Sequence, residues 1–303
     1  MFASAHNSLK KISPAFIFIL ALFFIVSGIL GCGNPKNVNM PIVLLTDFGS
    51  EDYRISQLKG IILTNNNQAR IIDATHSVPA FDIATGAYIL DVAAREFPEN
   101  VVFISIIAPY TQSEPKYFVL INNKNQFFIL PDNGLMTYVV QDTGNKAIYQ
   151  ITDQQLFDRS MRELAAERIQ GKVGALISSG YSPQSVGPTL TDYEKLDIQE
   201  PAIKDDRLLG TVVYVDHFGN AITNISGKIA DEFGLEPGDQ LSITIATSTI
   251  RAIFGTTYAD VPQGKEIVFV INNLGMVQMS INLGNFASTY HIKAGTKIEI
   301  EKQ

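Results

Sequence analysis

Cysteine, histidine and clustered basic residues are scarce in this sequence. One cysteine and four histidines occur among 303 residues, so no internal disulfide can form. Acidic residues outnumber basic ones by 30 to 23, and the basic ones are scattered. Nucleic-acid binding would call for a clustered basic face, and we therefore expect no nucleic-acid partner. We also expect neither a metal ion nor a cofactor.

Long apolar runs are also rare, and the one at the amino terminus reads as an export signal. Two lysines precede an apolar stretch over residues 15–30, which ends in Leu-Gly-Cys at Cys32. The run is shorter than the roughly 20 residues that a spanning helix needs. The pattern resembles a bacterial lipobox, which implies a signal peptide over 1–31, lipidation of Cys32 and a tether over 32–40. The expected location is the bacterial cell envelope, outside the cytoplasm, with the protein anchored to a membrane by its lipid.

The remainder of the chain shows two different patterns of secondary structure, which predict two domains at 41–195 and 205–303. Strands alternate with amphipathic helices as far as about Gly187, and this alternation indicates a doubly wound α/β domain with a parallel sheet. Short alternating strands with glycines follow and indicate an antiparallel barrel or sandwich. The predicted strands are Ile42–Leu45, Arg70–Asp73, Val101–Ile107, Tyr117–Ile121, Phe127–Leu130, Leu209–Asp216, Gln240–Ile245 and Lys297–Ile300, and the predicted helices are Ile55–Asn65, Phe81–Phe97 and Arg159–Ser179.

Several acidic and polar residues follow the predicted strands of the first domain. Asp47 and Asp52 lie in the loop after the first strand, where α/β sheets bind ligands and where an aspartate commonly holds ribose hydroxyls. For Asp52, capping of the next helix is an equal alternative. We expect His76 to organise its loop rather than act as a base, and Asp132 to be structural.

The stretch FISIIAPYTQSEPKYFVL, residues 103–120, predicts two strands joined by an exposed loop. Loops that leave buried strands often carry the chemistry of α/β proteins. This loop contains one acid, one lysine and no histidine. In the second domain, VDHFGNAITNI places Phe218 and Asn220 at a strand end. A phenylalanine ring can stack on an adenine, and an asparagine amide can read its edge.

The order of the short motifs is more specific than any one of them. Together they resemble the S-adenosylmethionine (SAM) hydroxide adenosyltransferase family, which includes SAM hydrolases and is related to SAM-dependent fluorinases and chlorinases. The motifs are, in order, Thr-Asp-Phe-Gly, Asp-x-Thr-His-x-x-Pro, Pro-Asp-Asn-Gly-Leu, Gly-Ala-Leu, Asp-x-Phe-Gly-Asn-x-x-Thr-Asn, Tyr-Ala-Asp-Val-Pro and Asn-x-x-Gly.

The resemblance implies an α/β domain, a carboxy-terminal β-barrel and a homotrimer with the nucleoside between neighbouring subunits. It implies that Asp47 holds the ribose, that Asp52 lies near the methionine end and that Phe81 walls the sugar. Phe218 and Asn220 match the adenine-binding motif. A further implied ligand residue, in the loop that supports the adenine, is Asn273.

The loop after the third strand departs from the family pattern of the hydrolases. They carry an aspartate, an arginine and a histidine that position and activate the attacking water. The matching positions here are Ala108, Pro115 and Ala165, which offer neither a proton acceptor nor a cation. Pro109 and Thr111 partly match the halogenase loop, so Thr111 is a candidate ligand residue.

Three hypotheses remain open on these observations. The chain is a nucleoside-binding relative without hydrolase activity, an active adenosyl transferase that uses other groups, or a structural lipoprotein with a relic pocket. The other groups would be Glu114, Lys116, Glu167 or Arg168. SAM is a cytoplasmic metabolite that an exported protein would rarely meet, and this favours lost hydrolysis. The expected ligand is SAM or adenosine.

Overall fold

The computed structural model describes residues 39–303, apart from 113, 154–155, 157–164, 246–247 and 265. These residues form one compact unit, Asn39–Gln303. The predicted signal peptide, Cys32 and almost all of the tether lie outside the described residues. Within the described part, no helix is long and apolar enough to cross a membrane.

A six-stranded mixed sheet forms the first half of the unit. Its spatial order is β2-β1-β3-β5-β4-β6, and the first four of these strands are parallel. The last two pair antiparallel, because β4 and β5 form the hairpin expected from the sequence. The strands are β1 (Ile42–Thr46), β2 (Ile71–Thr75), β3 (Val102–Ile106), β4 (Tyr117–Ile121), β5 (Phe127–Pro131) and β6 (Ala147–Gln150).

Helices cover both faces of this sheet, as the doubly wound pattern predicts. The helices are α1 (Tyr53–Asn65), α2 (Ile83–Glu96), α3 (Thr137–Thr143) and α4 (Ala166–Ser178). Alternate residues of β1 point to opposite faces. Leu44 packs in the core that contains residues of α1 and α4, while Val43 and Leu45 pack in the core that contains residues of α2. Because β2, β1, β3 and β5 are parallel, their carboxyl ends lie at one edge of the sheet, where the loops that follow them meet.

The second half is a closed seven-stranded β-barrel with one short strand outside it. The barrel order is β14-β10-β11-β12-β13-β9-β8, and pairing of β14 with β8 closes it, while β7 pairs with β8. One neighbouring pair, β11 and β12, is parallel. The elements are β7 (Ala202–Lys204), β8 (Arg207–Val215), β9 (Ala221–Ser226), α5 (Gly227–Glu232), β10 (Gln240–Ile245), β11 (Ser248–Phe254), β12 (Ile267–Ile271), β13 (Met276–Ile281), α6 (Phe286–Tyr290) and β14 (Lys297–Lys302).

The helix predicted over Phe81–Phe97 is correct in place but begins two residues later. Phe81 has a φ of 65°, which a right-handed helix does not allow. The Asp82 side chain then accepts a hydrogen bond from the Thr85 backbone N–H at 3.0 Å and caps the first turn. Asp82 therefore sets the start of α2 at Ile83.

The helix predicted over Arg159–Ser179 begins at Ala166 in the structure. Ala165 has extended backbone angles (φ −61°, ψ 131°) and is the residue before the first turn, not a helical one. Residues 159–164 of the predicted helix lie outside the described residues. The apolar spacing continues beyond the amino-terminal end of α4, and spacing alone could not show where the helix starts.

An aromatic contact joins the sheet domain to the barrel. Tyr88 of α2 stacks on Tyr214 of β8, with ring centroids 5.4 Å apart and planes inclined by 22°. Val213 and Ile222 of the barrel are buried in the same cluster. This contact fixes the position of α2, and so of the loop before it, relative to the barrel strand that leads to Phe218.

Candidate functional site

Asp47 joins the two loops that flank the carboxyl end of β1. Its Oδ2 accepts backbone hydrogen bonds from Phe81 and from Ala108, each at 3.1 Å. Both donor residues have positive φ angles, 65° and 42°, which residues other than glycine rarely adopt. The carboxylate therefore holds two strained loops in place. Its second oxygen, Oδ1, accepts no hydrogen bond from the described residues and remains available to a ligand.

Asp52 has the capping role that was the alternative to ligand binding. It precedes α1, and its side chain accepts a hydrogen bond from the Arg54 backbone N–H at 2.8 Å. The Arg54 guanidinium also donates to both carboxylate oxygens at 2.9 Å. These side-chain hydrogen bonds lower the pKa of the Asp52 carboxyl to about 2. The proposed contact with a methionine end stays a prediction.

His76 and Asp132 have the structural roles expected from the sequence. His76 is buried, its Nδ1 lies 2.9 Å from Thr46 Oγ1, and its carbonyl accepts from the Gly49 N–H. Asp132 is also buried and accepts a hydrogen bond from the Glu194 backbone at 2.8 Å. Both side chains fix loops that border the site.

The loop after β3 is tied to helix α4 by a tyrosine. The Ala166 backbone N–H donates to Tyr110 Oη at 3.0 Å, so a phenol takes the place of the missing side-chain cap. Asn133 Nδ2 donates to the carbonyl of Ala108 at 3.2 Å. Thr111 is exposed in the same loop. The loop, which contains Ala108 and Pro115, and the start of α4, which follows Ala165, are therefore neighbours.

A buried carboxylate lies next to this contact. Glu167 is 9% exposed, and its side chain makes no hydrogen bond with the described residues. It interacts electrostatically with Arg54 and with Tyr117. The Tyr117 hydroxyl is buried and has no hydrogen-bond partner among the residues that the structure describes, and burial raises its pKa. The sheet edge thus contains an acid, a cation and a phenol close to the loop after β3.

Asp216 organises the turn that presents Phe218. Its Oδ1 accepts from the backbone N–H groups of Phe218 at 2.9 Å and Asn220 at 2.8 Å, and its Oδ2 accepts from Asn220 Nδ2 at 2.8 Å. Gly219 has a φ of 83°, and a Cβ there would lie 2.1 Å from Asn285 Oδ1. Only glycine fits that position. The Asn220 amide is held by this turn, while the Phe218 ring is 72% exposed.

A barrel cleft of about 720 Å³ brings three predicted ligand residues together. We use the name barrel cleft for this space, which is lined by Asp216, Phe218, Asn220, Thr256, Thr257, Tyr258, Val270, Ile271, Asn272, Asn273, Gln278, Ile281, Asn282, Leu283 and Gly284. All of these residues belong to the second half of the chain. The predicted residues Asp47, Asp52, Phe81 and Thr111 do not line it. Within one chain the seven candidates therefore form two separate sets, one in the sheet domain and one in the barrel cleft.

Sequence reasoning missed three further residues, one in the loop after β3 and two in the barrel cleft. Tyr110 looked like an ordinary loop residue, because no local pattern links it to α4. Tyr258 lies in the Tyr-Ala-Asp-Val-Pro motif, and its hydroxyl accepts from Gln278 Nε2 at 2.8 Å in the barrel cleft. The signal for Asp216 was present in Asp-x-Phe-Gly-Asn, since an aspartate before such a turn commonly accepts from the following backbone.

Comparison with known proteins gives a consistent result along the chain. The family model described as SAM hydroxide adenosyltransferase N-terminal domain matches residues 42–187, and that described as the C-terminal domain matches residues 210–299. An "(R)-S-adenosyl-L-methionine hydrolase" of Methanocaldococcus jannaschii is 31% identical over 270 residues, which cover 86% of this chain and 95% of the relative.

A fluorinase and a solved structure are also similar. A "Fluorinase" of an Actinoplanes species is 27% identical over 297 residues, covering 88% of this chain and 99% of the relative. The crystal structure of an uncharacterized conserved protein from Thermotoga maritima has a TM-score of 0.79 and 28% identity, covering 86% of this chain and 99% of the other. The two family models and the archaeal relative together span both halves of the described unit. The chain belongs to the SAM hydroxide adenosyltransferase family.

Proposed function

We propose that this protein binds a nucleoside of the SAM or adenosine type and has lost the hydrolysis of its relatives. One observation carries the binding half of the proposal: Phe218, Asn220 and Asn273 line one cleft of about 720 Å³. This volume is within the usual range of small-molecule pockets. The exposed Phe218 ring offers a stacking surface, and the fixed Asn220 amide offers hydrogen bonds to a base edge.

Asp47 supplies the second half of the proposed nucleoside site. Its Oδ1 is available at the carboxyl end of β1, where α/β sheets bind ribose and phosphate groups. The barrel cleft is lined by no described residue of this half. We therefore propose a homotrimer in which the Asp47 loops of one subunit cover the barrel cleft of the next.

Exposed apolar side chains support this assembly. Tyr53, Phe81 and Tyr110 are 75%, 79% and 59% exposed near the Asp47 loops. Phe218 and Leu283 are 72% and 82% exposed at the barrel cleft. Large apolar side chains exposed on two faces indicate that a partner covers them. Light scattering on the purified protein should report a trimer at micromolar concentration, and a monomer would contradict both the assembly and the shared pocket.

The loss of hydrolysis rests on the residues of the altered loop. A water attack on the 5′ carbon needs a group that orients the water and accepts its proton, and such groups typically contribute 10²–10⁴-fold each. Ala108 has a methyl side chain and Pro115 a ring without a polar atom. Ala165, which precedes α4, cannot replace the family's histidine. The archaeal relative is named for SAM hydrolysis. By the resemblance, hydrolysis uses an aspartate, an arginine and a histidine, and this chain has none of the three at the matching positions.

The experiment is to titrate the purified protein with SAM and with adenosine by calorimetry, and to follow adenosine release from SAM by chromatography. We expect saturable binding with release near the uncatalysed rate. Robust release would contradict the loss of hydrolysis. Absence of any binding would favour a relic pocket in a structural protein.

A second candidate function is adenosyl transfer by replacement groups. The observation that favours it is the buried Glu167 carboxylate, which makes no hydrogen bond with the described residues and lies near Arg54 and Tyr117. In this case adenosine release should be measurable and should fall by 10²-fold or more in Glu167→Gln, because the general base is removed. Release that Glu167→Gln leaves unchanged would exclude it.

We also propose that the protein is a lipoprotein of the bacterial cell envelope, anchored outside the cytoplasm through Cys32. The proposal is supported by the Leu-Gly-Cys sequence at the end of the apolar run and by the absence of any other cysteine. A tether over residues 32–40 would separate the anchor from the folded unit. An extracytoplasmic position agrees with lost SAM hydrolysis, since SAM is made inside the cell.

A further inference from the structure

A small cavity lies between helices α2 and α3 and the barrel of the same chain. We call it the tyrosine cavity. Its volume is about 80 Å³, room for roughly two to three groups the size of a water molecule, and none of the seven predicted ligand residues lines it. It is lined by Tyr88, Asp91, Val92, Arg95, Tyr138, Val213, Asn224, Leu274 and Met276.

A buried carboxylate oxygen of the tyrosine cavity has no partner. Asp91 is 3% exposed, and Arg95 donates to its Oδ2, at 3.0 Å from Nε and 2.7 Å from Nη2. Its other oxygen, Oδ1, is buried and accepts no hydrogen bond from the described residues. A buried acceptor of this kind costs free energy unless a bound molecule donates to it. The cavity therefore contains a position for a hydrogen-bond donor.

A tyrosine hydroxyl of the same cavity is also without a partner. Tyr88 Oη is buried and makes no hydrogen bond within the described part of the chain. The Asn224 amide, another polar group of the lining, is already engaged. Its Oδ1 accepts from the Thr211 backbone N–H at 2.8 Å, and its Nδ2 donates to the Gln199 carbonyl at 2.7 Å. The Tyr88 hydroxyl is therefore left for a bound molecule, as Asp91 Oδ1 is.

The charges around the tyrosine cavity favour a cation. Asp91 and Arg95 balance each other in the lining, but Arg95 is shared with a second carboxylate, because its Nε lies 3.4 Å from Asp142 Oδ2. A third acid, Glu200, acts on Tyr138. Burial and then the negative charges of Asp91 and Glu200 raise the pKa of Tyr138 to about 12. Three carboxylates thus act around one guanidinium, and this leaves a surplus of negative charge.

The remainder of the lining suits a cation that is attached to a short apolar chain. The Tyr88 and Tyr138 rings lie edge to face with centroids 6.4 Å apart, and tyrosine rings attract a nearby cation. Val92 and Leu274 line both the tyrosine cavity and a larger cleft of about 740 Å³ between α2 and the barrel, so the two spaces adjoin. A ligand whose charged head lies in the tyrosine cavity can therefore extend an apolar chain towards the larger cleft.

We infer that the tyrosine cavity binds a primary ammonium group carried on a short apolar chain. The ammonium donates to Asp91 Oδ1 and to Tyr88 Oη, and its charge offsets the surplus of carboxylates. The chain packs against Val92 and Leu274. The tyrosine cavity shares no lining residue with the barrel cleft, so this site can be tested apart from nucleoside binding.

The test uses butylamine, which is an ammonium ion at neutral pH, and its neutral analogue butan-1-ol, with titration followed by ligand-observed NMR on the purified protein. The amine should bind about tenfold more tightly than the alcohol, because hydrogen bonds between charged groups are the stronger ones. Asp91→Asn should remove this advantage by weakening amine binding about tenfold while leaving the alcohol unchanged. Tyr88→Phe should weaken binding of both probes about two- to tenfold.

A matched control and a filling variant locate the probe. Glu96→Gln removes an exposed acid of α2 that does not line the cavity, and it should change neither affinity. Leu274→Trp adds a large ring to the lining from a partly exposed position between β12 and β13, and it should abolish binding of both probes.

Four results would overturn the inference. They are equal affinities for the two probes, amine binding that Asp91→Asn leaves unchanged, amine binding retained in Leu274→Trp, and no saturable amine binding to the unaltered chain. Complete displacement of the amine by adenosine would place the probe in the barrel cleft and would overturn it as well. A protein that binds butylamine in the expected pattern but does not bind adenosine would support the ammonium site and contradict the proposed nucleoside binding.

Discussion

Asp47 is expected to stabilise the fold and to bind the ligand through different properties of one carboxylate. Oδ2 accepts from two backbone N–H groups, one exposed at Phe81 and one partly buried at Ala108. A hydrogen bond to a charged group contributes about 1.5–3 kcal/mol, and exposure reduces this for the first bond. We therefore expect Asp47→Ala to lower the free energy of unfolding by roughly 2–4 kcal/mol. Relaxation of the two positive-φ residues limits the loss.

Asp47→Asn separates the two properties. The amide keeps an oxygen that can accept from the two loops, but it loses the charge, and we expect a loss of only about 1 kcal/mol in the free energy of unfolding. The charged hydrogen bonds to ribose hydroxyls would be weakened as well, so adenosine affinity should fall at least about tenfold in both variants. Stability should therefore distinguish the alanine variant, whereas affinity should not distinguish the two.

The assay is urea unfolding followed by circular dichroism, together with calorimetric titration with adenosine. Glu51→Gln is the matched control, because Glu51 is an exposed acid of the same loop, and it should change neither quantity. The reasoning would be refuted if Asp47→Ala unfolded at the same urea concentration as the unaltered chain. It would also be refuted if Asp47→Asn bound adenosine with unchanged affinity.

Three further results are expected. Phe218→Ala should weaken adenosine binding by about 1–3 kcal/mol in calorimetry, the usual effect of losing a base-stacking ring. The urea midpoint should stay unchanged, because Phe218 is 72% exposed. Unchanged affinity would remove Phe218 from the site. Burial raises the pKa of Asp91 above its ordinary value of 3.8 despite the nearby Arg95. The free energy of unfolding should therefore fall as the pH rises from 3.8 through the pKa of the folded state. Urea midpoints measured across this pH range should show the fall in the unaltered chain and lack it in Asp91→Asn. An equal pH dependence in both proteins would contradict it. Cys32→Ser should leave an uncleaved or soluble precursor without incorporated lipid label, and normal labelling would disprove the lipobox.

Much of the site was visible in the sequence because its signals are local. Asp47 and Asp52 follow an apolar strand, and Phe218 and Asn220 flank the glycine of a turn, which are relations over a few residues. The capping role of Asp52 was one of the two alternatives that the sequence offered. The engaged Oδ2 of Asp47 was not predictable, because its donors are 34 and 61 residues away in the chain.

The fold divides in the same way between local and long-range information. Apolar periodicity and turn residues determined an α/β half followed by a β half, since each strand or helix must present its own apolar face to a core. Closure of the barrel needed tertiary structure, because β14 pairs with β8 across most of that domain, Lys297 opposite Thr211. The start of α4 at Ala166 likewise depends on Tyr110, 56 residues earlier. Such pairings depend on which surfaces meet when the chain collapses, and no short stretch of sequence contains that information.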